Sequence, residues 1–212
     1  MIRIIPSLAS ANQADLKGEL QRLDGIARLH LDIEDGNFIP NITFGLRTVR
    51  DVARMCDMEM DAHLMVTDPY QYIEPLASLG VRGIAVHIEG LSYPMKTLNL
   101  IRNLDMRVGL ALNPRTSLEE LSYYAHALDY VLVMTAEPDL LGQQFQPRML
   151  EKIKRLRAML PNQAEIWADG GIKTFHLSIL VDVGVSTVIM GRAIFEAEKP
   201  TELIKQLESR GV

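Results

Sequence analysis

The chain has 212 residues, of which 48% are apolar, and a formal net charge of −5 at neutral pH. This balance fits one folded domain, which we place at residues 1–212, and excludes a basic nucleic-acid surface. No apolar run reaches membrane-spanning length, and the single Cys56 excludes an internal disulfide framework. We therefore expect a cytoplasmic protein with neither nucleic-acid nor membrane partners.

Strand-like runs recur along the chain, and an amphipathic stretch follows each of them. The predicted strands cover residues 2–7, 29–33, 60–65, 83–87, 107–112, 130–134, 165–169 and 187–190. The predicted helices cover residues 13–25, 46–56, 69–79, 93–103, 117–127, 149–160, 175–183 and 200–209. Eight such units predict an α/β fold with parallel strands, closed as a (β/α)8 TIM barrel. A doubly wound open sheet is the alternative, which the lack of a glycine-rich turn after the first strand disfavours.

The second predicted strand has a polar face. Its alternation directs His30, Asp32 and Glu34 to one side of the strand. The apolar residues of the other side are Leu29, Leu31 and Ile33. A histidine and a carboxylate two residues apart can share a metal ion or a substrate. Residues 37–45, which follow, lack periodicity and are predicted to form a functional loop or lid.

In a barrel, the carboxyl ends of the strands form the active site. The polar residues expected there are Ser7, His30, Asp32, Asp61, His63, His87, Glu89, Asn113 and Asp169. Of these, two histidines and two aspartates form a nitrogen–oxygen donor set that suits Zn²⁺, Mn²⁺, Fe²⁺ or Co²⁺. The predicted metal ligands are His30, Asp32, His63 and Asp169.

Glycines follow the last two predicted strands, where barrels often bind phosphate through bare backbone N–H groups. These are Gly170 and Gly171 after strand seven and Gly191 after strand eight. Arg192, next along the chain, can hold an anion. We expect a phosphate group at this part of the mouth.

A metal ion flanked by two carboxylates suggests proton transfer beside a carbonyl group. One carboxylate removes a proton and the other returns it on the opposite face. Asp32 and Asp169 come from well separated strands, so they can act from opposite sides. This arrangement favours an epimerase, with hydrolysis by a metal-activated water as the alternative.

Two stretches of the chain form distinctive motifs: residues 6–11 read PSLASA, and residues 30–45 read HLDIEDGNFIPNITFG. They resemble the P-S-[IL]-x-S-A and H-x-D-x-M-D-G-x-F-x-P-N-x-x-x-G motifs of the ribulose-phosphate 3-epimerase family. Residues 61–65 match D-x-H-L-M, and further blocks match in order at residues 86–89, 112–114, 169–172 and 191–195. The resemblance covers nearly the whole chain.

The resemblance implies a (β/α)8 barrel that epimerises C3 of a ketose phosphate through an enediolate. By matching position, His30, Asp32, His63 and Asp169 would bind the divalent metal, with zinc preferred, and Asp32 and Asp169 would be the acid–base pair. The implied substrate contacts are Ser7, His63, Gly142, Gly170, Gly171, Gly191 and Arg192. Barrels of this type commonly associate, so we expect a homo-oligomer.

The chain departs from the family's pattern in three places. Residues 137–143 read EPDLLGQ in place of N-P-G-F-G-G-Q, and bulky side chains cannot replace those glycines without moving the backbone. Glu34 replaces a methionine of an apolar shell, and Arg192 replaces a small residue. The alternatives are a hexulose-phosphate 3-epimerase, such as one acting on allulose 6-phosphate, and a non-catalytic sugar-phosphate-binding relative.

Overall fold

Eight parallel strands form the centre of the computed structural model, which describes residues 2–137 and 143–209. The strands are β1 Arg3–Pro6, β2 Arg28–Glu34, β3 Glu59–Met65, β4 Gly83–His87, β5 Arg107–Leu112, β6 Tyr130–Met134, β7 Glu165–Asp169 and β8 Thr187–Met190. From β2 to β8 each strand pairs with the next in chain order, and β8 pairs with β1. A parallel bridge between Ser7 and His30 links the two remaining edges. The predicted (β/α)8 barrel is therefore confirmed.

Helices alternate with the strands around the barrel. They are α1 Leu16–Arg22, α2 Leu46–Met55, α3 Tyr70–Ser78, α4 Pro94–Asn103, α5 Leu118–Ser122, α6 Met149–Met159, α7 Leu177–Asp182, α8 Arg192–Phe195 and α9 Pro200–Ser209. Short 3-10 turns cover Leu8–Ser10, Ile88–Gly90, Ala125–Ala127 and Thr174–His176. Among the helices of the described residues, none is long and apolar enough to cross a membrane.

Two predicted helices were too long, and one short helix was missed. The single helix predicted over residues 117–127 ends at Ser122, because the Tyr124 N–H donates to the Leu121 carbonyl and tightens the chain into a 3-10 turn. The helix predicted over residues 13–25 is confined to α1, which Asp15 caps by accepting from the Gly18 N–H. The four-residue α8 is too short to show a period in the sequence.

The strands bury both of their faces, as parallel strands in a barrel do. Outward side chains such as Leu31 and Val131 pack under the helices in the larger core. Inward side chains fill the barrel below the mouth, where Tyr130 and Trp167 stack with centroids 4.2 Å apart. The Arg107 guanidinium lies over both rings and is 3.1 Å from Glu165. This filled interior gives the side chains above it a rigid floor.

Candidate metal centre and active site

The polar face predicted for β2 points into the barrel. In the register of β2 and β3, Asp32 pairs with His63, so these two side chains lie at the same level. β7 ends at Asp169, which completes the group from the other side of the barrel. Leu31 and Ile33 are buried in the outer core, as the alternation predicted.

The four predicted metal ligands form one cluster. His30, Asp32, His63 and Asp169 each offer one ligand atom, and these atoms all lie within 4.8 Å of one another. Asp32 Oδ1 is 3.3 Å from His30 Nε2 and 3.1 Å from His63 Nδ1, and His63 Nδ1 is 3.7 Å from Asp169 Oδ2. Both histidines are fully buried.

The residues present fit a divalent cation. Two imidazole nitrogens and two carboxylate oxygens suit borderline transition metals such as Zn²⁺. His30 is fully buried, yet neither of its ring nitrogens has a hydrogen-bond partner among the described residues. Because an unpartnered buried polar atom is costly, a cation bound at His30 Nε2 would give this nitrogen a partner.

The two aspartates have opposite proton affinities. Burial alone would raise the pKa of Asp32, but His30 and His63 outweigh burial and hold that pKa well below its usual range. Burial raises the pKa of Asp169, and repulsion by the Asp32 charge raises it further. In the metal-free site one carboxylate is therefore charged while the other holds a proton, which is the asymmetry that an acid–base pair requires.

The two histidines also differ. Burial opposes protonation of His30, but attraction by Asp32 and other carboxylates outweighs it and raises the pKa of His30. Burial and the nearby His87 lower the pKa of His63 to about 4, against an opposing hydrogen bond with Asp32. A neutral His63 keeps a ring lone pair, which a metal ligand must have.

Short hydrogen bonds hold Asp32 in place. Ser7 Oγ donates to Asp32 Oδ2, which places this predicted substrate contact beside the carboxylate. Thr43 Oγ1, from the predicted loop, donates to the Asp32 carbonyl at 2.6 Å and accepts from the Glu34 N–H at 3.1 Å. Thr43 was not among the predicted site residues, although its place inside the long motif of residues 30–45 was a signal.

A cavity of about 1110 Å³ opens above the cluster. Asp32 and Asp169 line its base, and the predicted phosphate-binding residues line its wall: Gly170, Gly171, Gly191 and Arg192. Gly171 has a φ of +66°, and a Cβ there would lie 2.5 Å from the Phe145 backbone nitrogen. Only glycine satisfies both the left-handed backbone and this close approach.

Glu34 also lines the cavity, beside Met65 and Met134. Its carboxylate accepts a hydrogen bond of 2.5 Å from Asn41 Nδ2. Burial raises the pKa of Glu34 to about 7, with a further contribution from the charge of Asp32. Glu34 therefore places a carboxyl group in the cavity wall, at the position where the family's motif has a methionine.

Asp61 does not join the cluster, although it pairs in register with His30, which does. The Asp61 carboxylate instead lies 3.4 Å from the guanidinium of Arg28 at the start of β2. Gly142 lies outside the described residues, with most of the altered segment 137–143.

The fold and the cluster define a (β/α)8 barrel with a candidate metal centre at the carboxyl ends of its strands. The family model described as "Ribulose-phosphate 3 epimerase family" matches residues 3–195. A relative from Oryza sativa subsp. japonica, "Ribulose-phosphate 3-epimerase, cytoplasmic isoform", is 36% identical over 97% of this chain and 92% of its own length. "Ribulose-phosphate 3-epimerase" of Bacillus subtilis is 31% identical over 98% of both chains.

Solved structures share the fold at lower identity. A neighbour titled "Crystal structure of KGPDC from Streptococcus mutans" has a TM-score of 0.74 and 15% identity, covering 99% of this chain and 96% of that one. This likeness supports the barrel alone. The family match and the two full-length relatives show that this chain belongs to the ribulose-phosphate 3-epimerase family, whose curated members above are named for an isomerase activity. The family expected from the sequence motifs is confirmed.

Proposed function

We propose that this chain is a divalent-metal-dependent ketose-phosphate 3-epimerase that interconverts ribulose 5-phosphate and xylulose 5-phosphate. The observation that carries this proposal is the cluster of two carboxylates and two buried histidines at the carboxyl ends of the strands. The names of the curated relatives support the same reaction.

The proposed metal ligands are His30, Asp32, His63 and Asp169. When bound, the cation supplies a Lewis acid that stabilises negative charge on the substrate oxygens next to C3. Asp32, held charged by its neighbours, removes the C3 proton. Asp169, on the other side of the substrate, delivers a proton to the opposite face of the resulting enediolate. The reverse reaction exchanges the two roles.

The substrate lies in the cavity, with its phosphate at Gly170, Gly171, Gly191 and Arg192. Arg192 is exposed at this wall and supplies the positive charge, and the crowded glycines bring backbone close to the anion. Ser7 and His63 face the reacting end beside Asp32. We keep Gly142 in the proposed substrate contacts on the basis of its motif position.

A second candidate substrate is a hexulose phosphate such as allulose 6-phosphate. The Glu34 carboxylate in the cavity wall favours it, because it can accept a hydrogen bond from an additional hydroxyl group. The two substrates share the chemistry at C3, so the ligands and the acid–base pair remain the same.

Deuterium wash-in at C3 tests the proposal. The Zn²⁺-loaded protein should exchange this proton in ribulose 5-phosphate or allulose 6-phosphate, and the faster substrate identifies the physiological class. We expect Asp32→Asn and Asp169→Asn to lower exchange by about 10²- to 10⁴-fold with the fold retained. Asp182→Asn, on the exposed surface of α7, is the matched control. Tight substrate binding without exchange would instead support a non-catalytic sugar-phosphate-binding protein.

Three further expectations are part of the proposal. They are a single domain over residues 1–212, a cytoplasmic location and a homo-oligomer. Light scattering of the purified protein, with mass measured at several concentrations, tests the last of these. A monomer at all concentrations would contradict it.

A further inference from the structure

A row of three side chains extends outward from the metal-facing ring of His63. His63 Nε2 lies 2.8 Å from His87 Nε2, and His87 Nδ1 lies 2.9 Å from Glu89 Oε2. The two imidazole planes are inclined by only 26°. Both histidines are buried at the ends of β3 and β4, and Glu89 follows in the next turn. Each contact has the length of a hydrogen bond, so each must hold one hydrogen.

The far end of this row is anchored as an acceptor. Glu89 Oε1 accepts from the Asn113 N–H at 2.7 Å and from the Thr116 hydroxyl. Burial opposes ionisation of Glu89, but the hydrogen bonds from His87, Thr116 and Asn113 outweigh it and lower its pKa to about 2. An ionised carboxylate can only accept, so the hydrogen between Glu89 and His87 belongs to His87 Nδ1.

The hydrogen on His87 Nδ1 determines the position of the hydrogen between the two imidazole rings. When the hydrogen of the His87 ring is on Nδ1, its Nε2 carries a lone pair and accepts. The hydrogen between the two rings therefore belongs to His63 Nε2, and His63 Nδ1 is left with its lone pair facing the cluster. The reverse polarity would set a bare His87 Nδ1 against the charged Glu89 at 2.9 Å with no hydrogen between them. The favoured polarity leaves His63 Nδ1 without a hydrogen toward Asp32 Oδ1, 3.1 Å away, and this is the contact that a cation bound by both residues would fill.

We propose that His87 and Glu89 are positioning residues that set the tautomer of His63, so that its Nδ1 is presented to the cation as a ligand. This inference rests on the proposed function, because it concerns the same centre. The hydrogen bond also holds the ring in one orientation and makes the ligating nitrogen more basic. The second histidine of the cluster is different, since His30 has no hydrogen-bond partner among the described residues.

The Phe38 ring covers this row from the loop after β2. Its centroid is 4.8 Å from that of His87, which shields the inter-ring hydrogen bond from water. Through Asn113 and Thr116, the carboxylate is tied to the end of β5. The row is thus built into three neighbouring strand ends, which is the support that precise ligand placement requires.

The test is Glu89→Gln. The Asn113 N–H and the Thr116 hydroxyl both need an acceptor, so the amide oxygen should face them and the amide NH₂ should face His87 Nδ1. The polarity of the row then reverses and places a hydrogen on His63 Nδ1. We expect the affinity for Zn²⁺ and Co²⁺, measured by calorimetry and by the visible spectrum of the cobalt form, to fall about 10- to 100-fold. Glu120→Gln, the same change at an exposed position of α5, should leave affinity unchanged.

Long-range proton–nitrogen NMR spectra of the Zn²⁺-loaded protein provide a second measurement, which needs no substrate. His87 should carry its hydrogen on Nδ1 in the original protein. A hydrogen on His87 Nε2, or unchanged metal affinity in Glu89→Gln with native circular dichroism, would overturn the inference. Failure of this inference can be told apart from failure of the proposed function. Metal binding with the expected tautomer but no C3 exchange rejects only the proposed function. C3 exchange with unaltered metal affinity in Glu89→Gln rejects only the inference about His87 and Glu89.

Discussion

Replacing Gly171 by alanine isolates the close backbone approach at the proposed phosphate site. Gly171 has a φ of +66°, and the added Cβ would lie 2.5 Å from the Phe145 nitrogen and 2.7 Å from the Gln143 carbonyl oxygen. Both neighbours are backbone atoms, so no side-chain rotation relieves the contact. Gly80 is the matched control, because its φ is +85° and nothing lies within 4 Å of the Cβ position.

Gly80→Ala should incur only the left-handed backbone strain, about 1–2 kcal/mol. Gly171→Ala should incur the same strain and a further cost of about 1–3 kcal/mol for overpacking. Urea unfolding followed by fluorescence of the single tryptophan, which is fully buried in the barrel as Trp167, measures both. Losses that agree within about 0.5 kcal/mol would refute the reasoning, because the two sites would then differ in strain alone.

Two further predictions concern charge at the mouth. In the original metal-free protein, the Glu34 carboxyl is protonated in both the folded and the unfolded state below pH 4.5. Between about pH 4.5 and 7 it ionises in the unfolded chain first, so the free energy of unfolding falls as pH rises. Glu34→Gln should remove this fall. After discounting for partial exposure, this loss is about 1–2 kcal/mol, and parallel curves for the two proteins in EDTA would contradict it. Zn²⁺ at 100 times its dissociation constant should stabilise the protein by about 2.7 kcal/mol, and EDTA should reverse the effect. His30→Gln should abolish most of this gain; an equal rise in Tm would show that the ion binds elsewhere.

The sequence predicted the site well where strand alternation and motif order coincide. His30 and Asp32 are two residues apart on one strand, so any β conformation places them on the same face. The glycines near Arg192 were also informative, because a strand followed by glycine in a barrel lies at the mouth. The same argument failed for Asp61, since alternation gives the face of a strand but not the partner toward which a side chain turns, here Arg28.

Local sequence was also a poor guide to helix ends. The amphipathic pattern over residues 117–127 continues past Ser122, but the backbone changes to a 3-10 turn there. The choice between α-helical and 3-10 hydrogen bonds depends on how the chain must return to β6. The local hydrophobic pattern carries no information about that return.

By itself the sequence determined the barrel, its family and the four side chains that cluster, because these follow from periodicity and from the order of short motifs. The tertiary structure alone decided how those side chains differ. Asp32 and Asp169 are the same residue type, and only the placement of charges around them lowers one pKa and raises the other. Likewise, the direction of the hydrogen bonds in the row of His63, His87 and Glu89 depends on atoms from three strand ends that meet only when the barrel closes.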